Sequence, residues 1–350
     1  MKTVTIHGRK VGVGEPPLVI AEGGINHNGS LELARELVRA AAKAGADVIK
    51  FQTHFPECEM LRDKAGADYI GGSFFELLDR CKLSHEDHRL LKEFAEKEGI
   101  LFLSTPFSRE AADFLEGIGV AAFKVGSGEL TNLPLLQHIA RKGKPMILST
   151  GMSELEEIEE TLRAIRPIND QLILLQCTST YPTPYEHINL GVIGLFRERF
   201  DLPTGLSDHS EGIYTAIAAV ALGACVLEKH FTVDRNLPGP DQKASVEPAE
   251  LAELVKGARA VFRASGKAKQ VIQGEKPVQE MARESVVALE PIEVGSRVTA
   301  KSVWVKRPGT GIPAKLLDRV IGKRARRPIQ ADSLIQWSDL EECGVTLRPR

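Results

Sequence analysis

The sequence predicts an α/β protein, a TIM (β/α)8 barrel followed by a small β-rich C-terminal domain. Eight short apolar runs alternate with eight helical patterns over about 245 residues, which fits such a barrel. No Gly-rich dinucleotide turn follows the first run, which disfavours the alternative, a doubly wound open sheet. Polar residues also cluster where the runs end, and a barrel builds its active site at that end.

A short hairpin is expected before the barrel, with strands at Thr3–Ile6 and Val11–Val13. The eight barrel strands are expected near Leu18–Ala21, Val48–Phe51, Ile100–Leu103, Ala122–Val125, Met146–Leu148, Leu172–Leu175, Thr204–Leu206 and Ala224–Leu227. The helices that follow them are expected near Ser30–Ala44, Glu86–Glu98, Arg109–Glu116, Asn132–Arg141, Glu154–Ile165, Leu190–Arg197, Gly212–Leu222 and Pro248–Arg263. The long connection from Thr53 to Leu83, with Gly71 and Gly72, is a candidate lid or subunit contact.

The pattern changes after the last of these helices. Residues 1–267 form the predicted barrel domain with its hairpin, and residues 268–284 are polar and are interpreted as a linker. Residues 285–350 form the predicted β-rich domain, with short β-type runs at Val286–Leu289, Ser302–Val305 and Val320–Lys323.

Composition indicates a globular protein without a strong charge bias. The chain has 350 residues, 43% of them hydrophobic, and its net charge of -2 offers no general attraction for nucleic acid or membrane. The basic run Lys323–Pro328 lacks interleaved aromatic residues and is interpreted as a solvated face. Five scattered cysteines without CxxC spacing indicate reduced thiols, and the amino terminus lacks an apolar signal region. We therefore expect a soluble, cytoplasmic protein.

Two lysines stand inside apolar strand ends, in the segments VIKFQ and AFKVGSGE. Because burying an unpaired ammonium group costs several kcal/mol, Lys50 and Lys124 indicate an anionic ligand. Ser127 and Ser149 follow neighbouring strands and would complete a phosphate or carboxylate site.

Two histidines end the seventh and eighth strands, in the clusters Ser207-Asp208-His209 and Glu228-Lys229-His230. Neighbouring parallel strands would bring both imidazoles to the same rim, where they can hold Mn, Fe, Co, Ni or Zn. The alternative is that one histidine packs in the core while the other hydrogen-bonds a carboxylate.

Nine short motifs follow one another at the strand ends: EGGINHNG from Glu22, KFQT from Lys50, STPF from Ser104, KVGSGE from Lys124, LSTGM from Leu148, CTSTYPTP from Cys177, LSDHS from Leu206, EKHFT from Glu228 and GPD from Gly239. In this order they resemble the N-acetylneuraminate (sialic acid) synthase family. WVKRPGTGI from Trp304 resembles that family's antifreeze-like (SAF) domain.

The resemblance implies condensation of phosphoenolpyruvate with N-acetylmannosamine to a nine-carbon 2-keto acid plus phosphate. It implies a divalent metal at His209 and His230, usually Mn²⁺, with Mg²⁺ and Co²⁺ as alternatives. The implied phosphoenolpyruvate contacts are Lys50, Lys124, Ser127, Ser149, Ser179 and Ser207. The implied sugar contacts are Gln52, Glu129, Tyr181, Asp241 and Arg307. Glu22 matches the acid that stabilises the developing cation, and Arg307 matches an arginine that reaches the partner's site in a domain-swapped homodimer.

The chain departs from the family pattern in ways that leave the acceptor sugar open. Ser179 stands where some members have asparagine, Gln242 stands where histidine is often expected, and residues 281–285 lack an aromatic side chain. The alternatives are a legionaminic or pseudaminic acid synthase that uses a 2,4-diacetamido hexose, and a synthase that takes an aldose phosphate. Schiff-base chemistry at Lys50 or Lys124 is the competing mechanism. A non-catalytic carbohydrate-binding protein is the alternative from a different class.

Overall fold

The computed structural model describes residues 2–62, 66–67 and 72–341. The chain divides into two compact units, Met1–Gly266 and Lys267–Arg350. Gly71, part of the expected lid, lies outside the described residues, and so does the end of the predicted C-terminal domain, residues 342–350.

The first unit contains eight parallel strands that form the predicted barrel. They are β3 (Leu18–Gly24), β4 (Val48–Thr53), β7 (Leu101–Pro106), β8 (Phe123–Val125), β9 (Met146–Ser149), β10 (Leu172–Cys177), β11 (Thr204–Asp208) and β12 (Val226–His230). Each pairs with its neighbours in the order β7-β4-β3-β12-β11-β10-β9-β8, and β7 and β8 lie side by side where the barrel closes. The predicted fold class is confirmed.

Helices surround the strands, as the sequence pattern predicts. They are α1 (Leu31–Ala44), α4 (His85–Lys97), α5 (Arg109–Gly117), α6 (Leu133–Ala140), α7 (Leu155–Ile165), α8 (Val192–Phe200), α9 (Tyr214–Ala221) and α10 (Pro248–Ala264). Side-chain oxygens cap the amino-terminal ends of several of these helices. Ser30, for example, accepts a hydrogen bond from the Leu33 amide, and Ser84 forms a capping box with Asp87. The connection after β4 holds α2 (Pro56–Glu59), α3 (Phe74–Cys81) and the short pair β5 (Gly66–Ala67) and β6 (Gly72–Ser73).

The amino-terminal hairpin covers one end of the barrel. Its strands, β1 (Thr3–Ile6) and β2 (Arg9–Gly12), pair antiparallel around the turn at His7 and Gly8. Buried side chains of the hairpin pack with the first residues of the barrel strands, including Leu18 and Val48. The carboxyl ends of the strands, where the polar motifs lie, therefore form the opposite end.

Several barrel strands continue beyond their apolar runs. The strand β3 reaches Gly24, β4 reaches Thr53, β11 reaches Asp208 and β12 reaches His230. The polar residues that follow the apolar runs therefore belong to the strands. Their side chains are buried, and Glu22 and Lys50 pair with each other. Among the described residues, none of the helices is both long and apolar enough to cross a membrane.

The second unit has a small core of its own around an antiparallel sheet. Its strands are β13 (Ser285–Ala288), β14 (Val303–Lys306) and β15 (Ser333–Leu334), with β13 in the centre. The β-type run predicted at Val320–Lys323 is wrong, because Val320 ends the short helix α12 (Leu317–Val320) and a turn follows it. The segment expected as a linker contains the helix α11 (Lys276–Ala282).

Candidate active site

A buried ion pair lies at the carboxyl end of the barrel. The register places Glu22 of β3 beside Lys50 of β4 and beside His230 of β12. Lys50 Nζ lies 2.5 Å from Glu22 Oε2 and donates to Thr105 Oγ1 at 2.9 Å, while Gln52 Nε2 donates to Glu22 Oε1 at 3.3 Å. Residues from three neighbouring strands thus converge on one point of the barrel interior.

A second carboxylate links the two buried lysines. Glu228 of β12 lies 3.8 Å from Lys50 Nζ and 3.5 Å from Lys124 Nζ, and it accepts a hydrogen bond from Ser207 Oγ at 2.9 Å. Lys124 also donates to Ser149 Oγ at 2.7 Å. The sequence interpretation missed this role of Glu228, although an acidic residue inside the apolar strand VLEKH is the same kind of signal as Lys50 in VIKFQ.

Burial and mutual attraction shift the pKa values of these four groups. Burial raises the pKa of Glu22 to about 7; Lys50 opposes this shift and Glu228 adds to it. Burial lowers the pKa of Lys124, although Glu228 acts in the opposite direction. Burial would lower the pKa of Lys50, but the carboxylates of Glu22 and Glu228 outweigh it and the pKa is raised. Burial would raise the pKa of Glu228, but Lys124 and Lys50 outweigh it and the pKa is lowered. An anion with several acceptor atoms could take the place of Glu228 in its contacts with the two lysines.

Two of the predicted serines meet over the backbone of Gly151. The Gly151 amide donates to Ser127 Oγ at 3.0 Å, and Ser127 Oγ donates to Cys177 Sγ at 3.4 Å. A Cβ atom on Gly151 would lie 2.8 Å from Ser127 Oγ and would clash with Ser179 Oγ. A side chain at residue 151 would therefore push these two hydroxyl groups away from each other.

The two predicted histidines lie close to each other and to a tyrosine. The rings of His209 and His230 have centroids 5.3 Å apart, and the ring of Tyr181 lies 4.1 Å from His209 and 5.5 Å from His230. His209 Nδ1 donates to the Thr178 carbonyl oxygen at 2.8 Å, which leaves Nε2 without a proton in the neutral imidazole.

His230 is buried, and its Nδ1 has no hydrogen-bond partner. Burial, the neighbouring His209 and the lysines lower the pKa of His230 well below its usual value, so its imidazole is neutral. Asp241 Oδ2 lies 3.7 Å from this nitrogen. A neutral buried imidazole nitrogen without a hydrogen-bond partner fits a divalent transition metal.

The histidines supply a small donor set. Across residues 2–62, 66–67 and 72–341, three or more His, Cys, Asp or Glu side chains nowhere converge as a complete protein site would require. Two imidazoles would leave most coordination positions of a metal to water and substrate.

The predicted sugar contacts surround the same space. A Cβ atom on Gly24 would meet Asp241 Oδ2 at 3.3 Å, Glu22 Oε1 at 3.4 Å and Gln52 Nε2 at 3.5 Å, so these three groups converge there. Glu129 lies over Gly126, and burial raises its pKa to about 7, with Lys124 opposing the shift.

Arg307 belongs to the second unit, where its Nε donates to the Ala282 carbonyl oxygen at 3.1 Å. Its part in sugar binding stays a prediction. The other predicted site residues all lie in the barrel unit: Glu22, Lys50, Gln52, Lys124, Ser127, Glu129, Ser149, Ser179, Tyr181, Ser207, His209, His230 and Asp241.

Family profiles cover most of the chain. The profile of the NeuB family matches residues 37–270, and that of the SAF domain matches residues 283–341.

Several curated proteins are similar over nearly their whole length. An uncharacterised protein of Methanocaldococcus jannaschii is 42% identical over 97% of this chain and 99% of its own. The N,N'-diacetyllegionaminic acid synthase of Legionella pneumophila is 39% identical over 92% of this chain and 94% of its own. The N-acetylneuraminate-9-phosphate synthase of Homo sapiens is 38% identical over 97% of both.

Solved structures agree with this grouping. The N-acetylneuraminic acid (sialic acid) synthetase of Leptospira borgpetersenii, in complex with citrate, is 35% identical with a TM-score of 0.72, over 79% of this chain and 95% of that one. The spore coat polysaccharide biosynthesis protein SpsE of Bacillus subtilis is 34% identical with a TM-score of 0.67, over 97% and 99%. The chain therefore belongs to the NeuB family, which includes sialic, legionaminic and pseudaminic acid synthases, and carries a C-terminal SAF domain.

Proposed function

We propose that this protein condenses phosphoenolpyruvate with an N-acetylated amino sugar, giving a nine-carbon 2-keto acid and phosphate. The observation that carries the proposal is the pair of buried lysines, Lys50 and Lys124, which share the carboxylate of Glu228 at 3.8 and 3.5 Å. They lie at the same barrel end as the two histidines. One rim thus offers cationic groups for a polyanion and imidazoles for a Lewis acid.

The lysines and serines are suited to hold phosphoenolpyruvate. Its phosphate and carboxylate groups together offer more acceptor atoms than one protein carboxylate, so they would displace Glu228 from part of its contacts with Lys50 and Lys124. The hydroxyl groups of Ser127, Ser149, Ser179 and Ser207 are neutral donors, which add hydrogen bonds without adding charge. We infer that the enol carbon is thereby fixed in one orientation toward the acceptor.

The histidines are proposed to hold a divalent metal, with Mn²⁺ first and Mg²⁺ or Co²⁺ as alternatives. Nε2 of His209 and Nδ1 of His230 are the nitrogens free to bind it. When bound, the metal would supply Lewis-acid polarisation of the acceptor aldehyde and lower the pKa of a water molecule. The Thr178 carbonyl fixes the His209 ring, so this imidazole needs little reorganisation to bind the metal.

The reaction begins when C3 of phosphoenolpyruvate attacks the aldehyde carbon of the open-chain sugar. A carbon–carbon bond forms, and positive charge develops on C2 and its oxygen. In its ionised form, which Lys50 favours, Glu22 can stabilise that charge, because a fixed carboxylate in a buried site acts with little screening. Water then adds to C2 and loses a proton, and the tetrahedral intermediate releases phosphate by cleavage of its C–O bond.

Glu129 is suited to exchange protons with the acceptor. Burial raises its pKa to about 7, so this carboxyl group can both hold and release a proton near neutral pH. The aldehyde oxygen must gain a proton as the new bond forms, and Glu129 is the proposed source.

The first acceptor that we propose is N-acetylmannosamine, with the 2,4-diacetamido hexoses as the alternative. Relatives are named for both kinds of product, sialic acid at 35% identity and a diacetyllegionaminic acid at 39%. A third, at 38% identity, is named for the 9-phosphate of N-acetylneuraminate, a product that requires a phosphorylated acceptor. Arg307 is proposed to complete the sugar site from a second copy of the chain in a domain-swapped homodimer, as the family resemblance implies.

Phosphate release tests the proposal. The metal-stripped protein should release phosphate from phosphoenolpyruvate only after Mn²⁺ and an acceptor are added, and the acceptors to compare are N-acetylmannosamine, its 6-phosphate and the 2,4-diacetamido hexoses. Release with one acceptor, together with a product mass equal to the two substrates plus water minus phosphate, would support the proposal and identify the sugar. Silence with every acceptor, in a folded and metal-loaded protein, would contradict it and favour a carbohydrate-binding protein.

A further inference from the structure

A buried histidine and glutamate lie behind the predicted sugar contact Gln52. His54 follows β4 directly, and Glu59 ends the short helix α2. Their side chains are only 5% and 4% exposed, and His54 Nδ1 lies 3.0 Å from Glu59 Oε1. The other ring nitrogen, Nε2, lies 3.0 Å from Gln52 Oε1. Together with the contact from Gln52 Nε2 to Glu22 Oε1 at 3.3 Å, these bonds form a continuous chain of four polar groups.

The chain of hydrogen bonds determines which way the Gln52 amide faces. Amide and carboxylate oxygens can only accept hydrogen bonds, so His54 donates through Nε2 to Gln52 and through Nδ1 to Glu59 and forms an ion pair with Glu59. The amide nitrogen then points toward the carboxylate of Glu22. If the amide were reversed, its nitrogen would face the His54 N–H donor, and its oxygen would face Glu22, which repels it when ionised.

One face of the histidine ring is also held in place. The ring of Phe107 stacks on His54 with centroids 4.2 Å apart and planes 14° apart. A carboxylate at Nδ1 and an aromatic ring on one face leave the imidazole a single orientation. Glu59 also acts on the predicted sugar contact Glu129. Burial raises the pKa of Glu129, Lys124 lowers it, and Glu59 adds a smaller effect that raises it.

We propose that His54 and Glu59 are positioning residues for the condensation, which hold the Gln52 amide with its nitrogen turned toward Glu22 and the acceptor sugar. This inference rests on the proposed function, since Gln52 is a sugar contact only if the chain binds an acceptor there. The pair touches neither the lysines nor the histidines of the proposed metal site in the hydrogen bonds described above. Its loss should therefore affect the sugar and spare phosphoenolpyruvate.

The kinetic test compares variants of His54. In His54→Phe the ring still stacks on Phe107 but both hydrogen bonds are lost, and we expect the KM for the acceptor to rise about tenfold or more while the KM for phosphoenolpyruvate stays within about twofold. His54→Gln returns a donor near the position of Nε2 and should recover part of the loss. In a Gln52→Ala background, His54→Phe should add little, because the group that it positions is gone. Equal effects on both KM values, or a full additional loss in that background, would overturn the proposal.

A matched control separates positioning from general loss of a buried histidine. His88 is also buried and makes two hydrogen bonds, with Thr53 Oγ1 at 3.1 Å and the Ser84 carbonyl at 3.0 Å. His88→Phe should lower the melting temperature without changing the ratio of the two KM values. A change in that ratio as large as the change in His54→Phe would count against a specific role for His54.

A second measurement does not depend on activity. In the unmodified protein labelled with ¹⁵N-histidine, the ring signals of His54, assigned by their loss in His54→Phe, should include a proton on Nε2. An Nε2 without a proton would overturn the proposal, because the amide would then present its nitrogen to His54 instead of Glu22. If the unmodified protein turned over none of the acceptors, the proposed function would fail, and this signal would still decide the orientation of the amide.

Discussion

Replacing Lys124 with methionine removes a buried charge from the proposed phosphoenolpyruvate site while keeping a side chain of similar length. Lys124 Nζ donates to Ser149 Oγ at 2.7 Å and to the Val125 carbonyl at 2.9 Å, and it lies 3.5 Å from Glu228. A hydrogen bond to a charged group contributes about 1.5–3 kcal/mol, so losing one contact to the substrate should raise the KM for phosphoenolpyruvate about 10- to 150-fold. The KM for the acceptor should change by less than about threefold, because Lys124 is not among its proposed contacts.

The folded state should survive this change. Breaking a buried ion pair by removing one partner costs about 3–5 kcal/mol. Glu228 keeps Lys50 at 3.8 Å and Ser207 at 2.9 Å, however, and the cost of burying the Lys124 ammonium disappears, so we expect less than that range. Steady-state kinetics with each substrate varied in turn measure the effect, and thermal unfolding measures stability. Lys142→Met is the control, since Lys142 pairs with Asp113 and Glu116 of the helix α5, outside the ring of strands. An unchanged KM for phosphoenolpyruvate in Lys124→Met would refute the assigned role.

His209→Ala should abolish turnover and keep the melting temperature near that of the unmodified protein, because it removes one of two proposed metal ligands; near-normal turnover would contradict the metal assignment. Arg307→Ala mixed with Glu22→Ala should regain some of the activity that each variant lacks alone, if two copies share their sites, whereas no recovery after mixing would count against a domain-swapped homodimer. The native state should lose stability relative to Glu129→Gln as the pH rises from 4.5 to about 7, because the folded protein keeps the Glu129 proton through that range and the unfolded chain does not. Melting temperatures measured across the range check this, and a constant difference between the two proteins would show that the pKa of Glu129 is not raised.

Much of the fold could be predicted because each barrel strand is a short apolar run bounded by a helix signal. The ends of the strands could not, since β11 and β12 continue through Asp208 and His230, and only burial in three dimensions makes such polar residues compatible with a strand. The strand predicted at Val320–Lys323 is wrong for a different reason, because the sequence there is compatible with two local structures. In the second unit a run of apolar and small residues packs equally well as a short helix, so periodicity over four residues does not decide between the two.

Some residues of the candidate site could also be predicted from the sequence, and others could not. Lys50 and Lys124 could be found because a lysine inside an apolar run needs a partner, and the structure supplies Glu22 and Glu228. Glu228 itself was read only as part of a polar cluster, because its contacts come from strands that are far away in sequence. His54 gave no signal, since its role depends on an orientation of the Gln52 amide that spacing alone does not contain.

The fate of the bridging oxygen of phosphoenolpyruvate tests the central claim most directly. The protein would be given phosphoenolpyruvate labelled with ¹⁸O at the oxygen between C2 and phosphorus, together with the best acceptor and Mn²⁺. Condensation followed by C–O cleavage predicts that the released phosphate carries the label and that the keto acid has lost it. Unlabelled phosphate, with the ¹⁸O kept on the three-carbon fragment, would mean that water attacks phosphorus and would contradict the account.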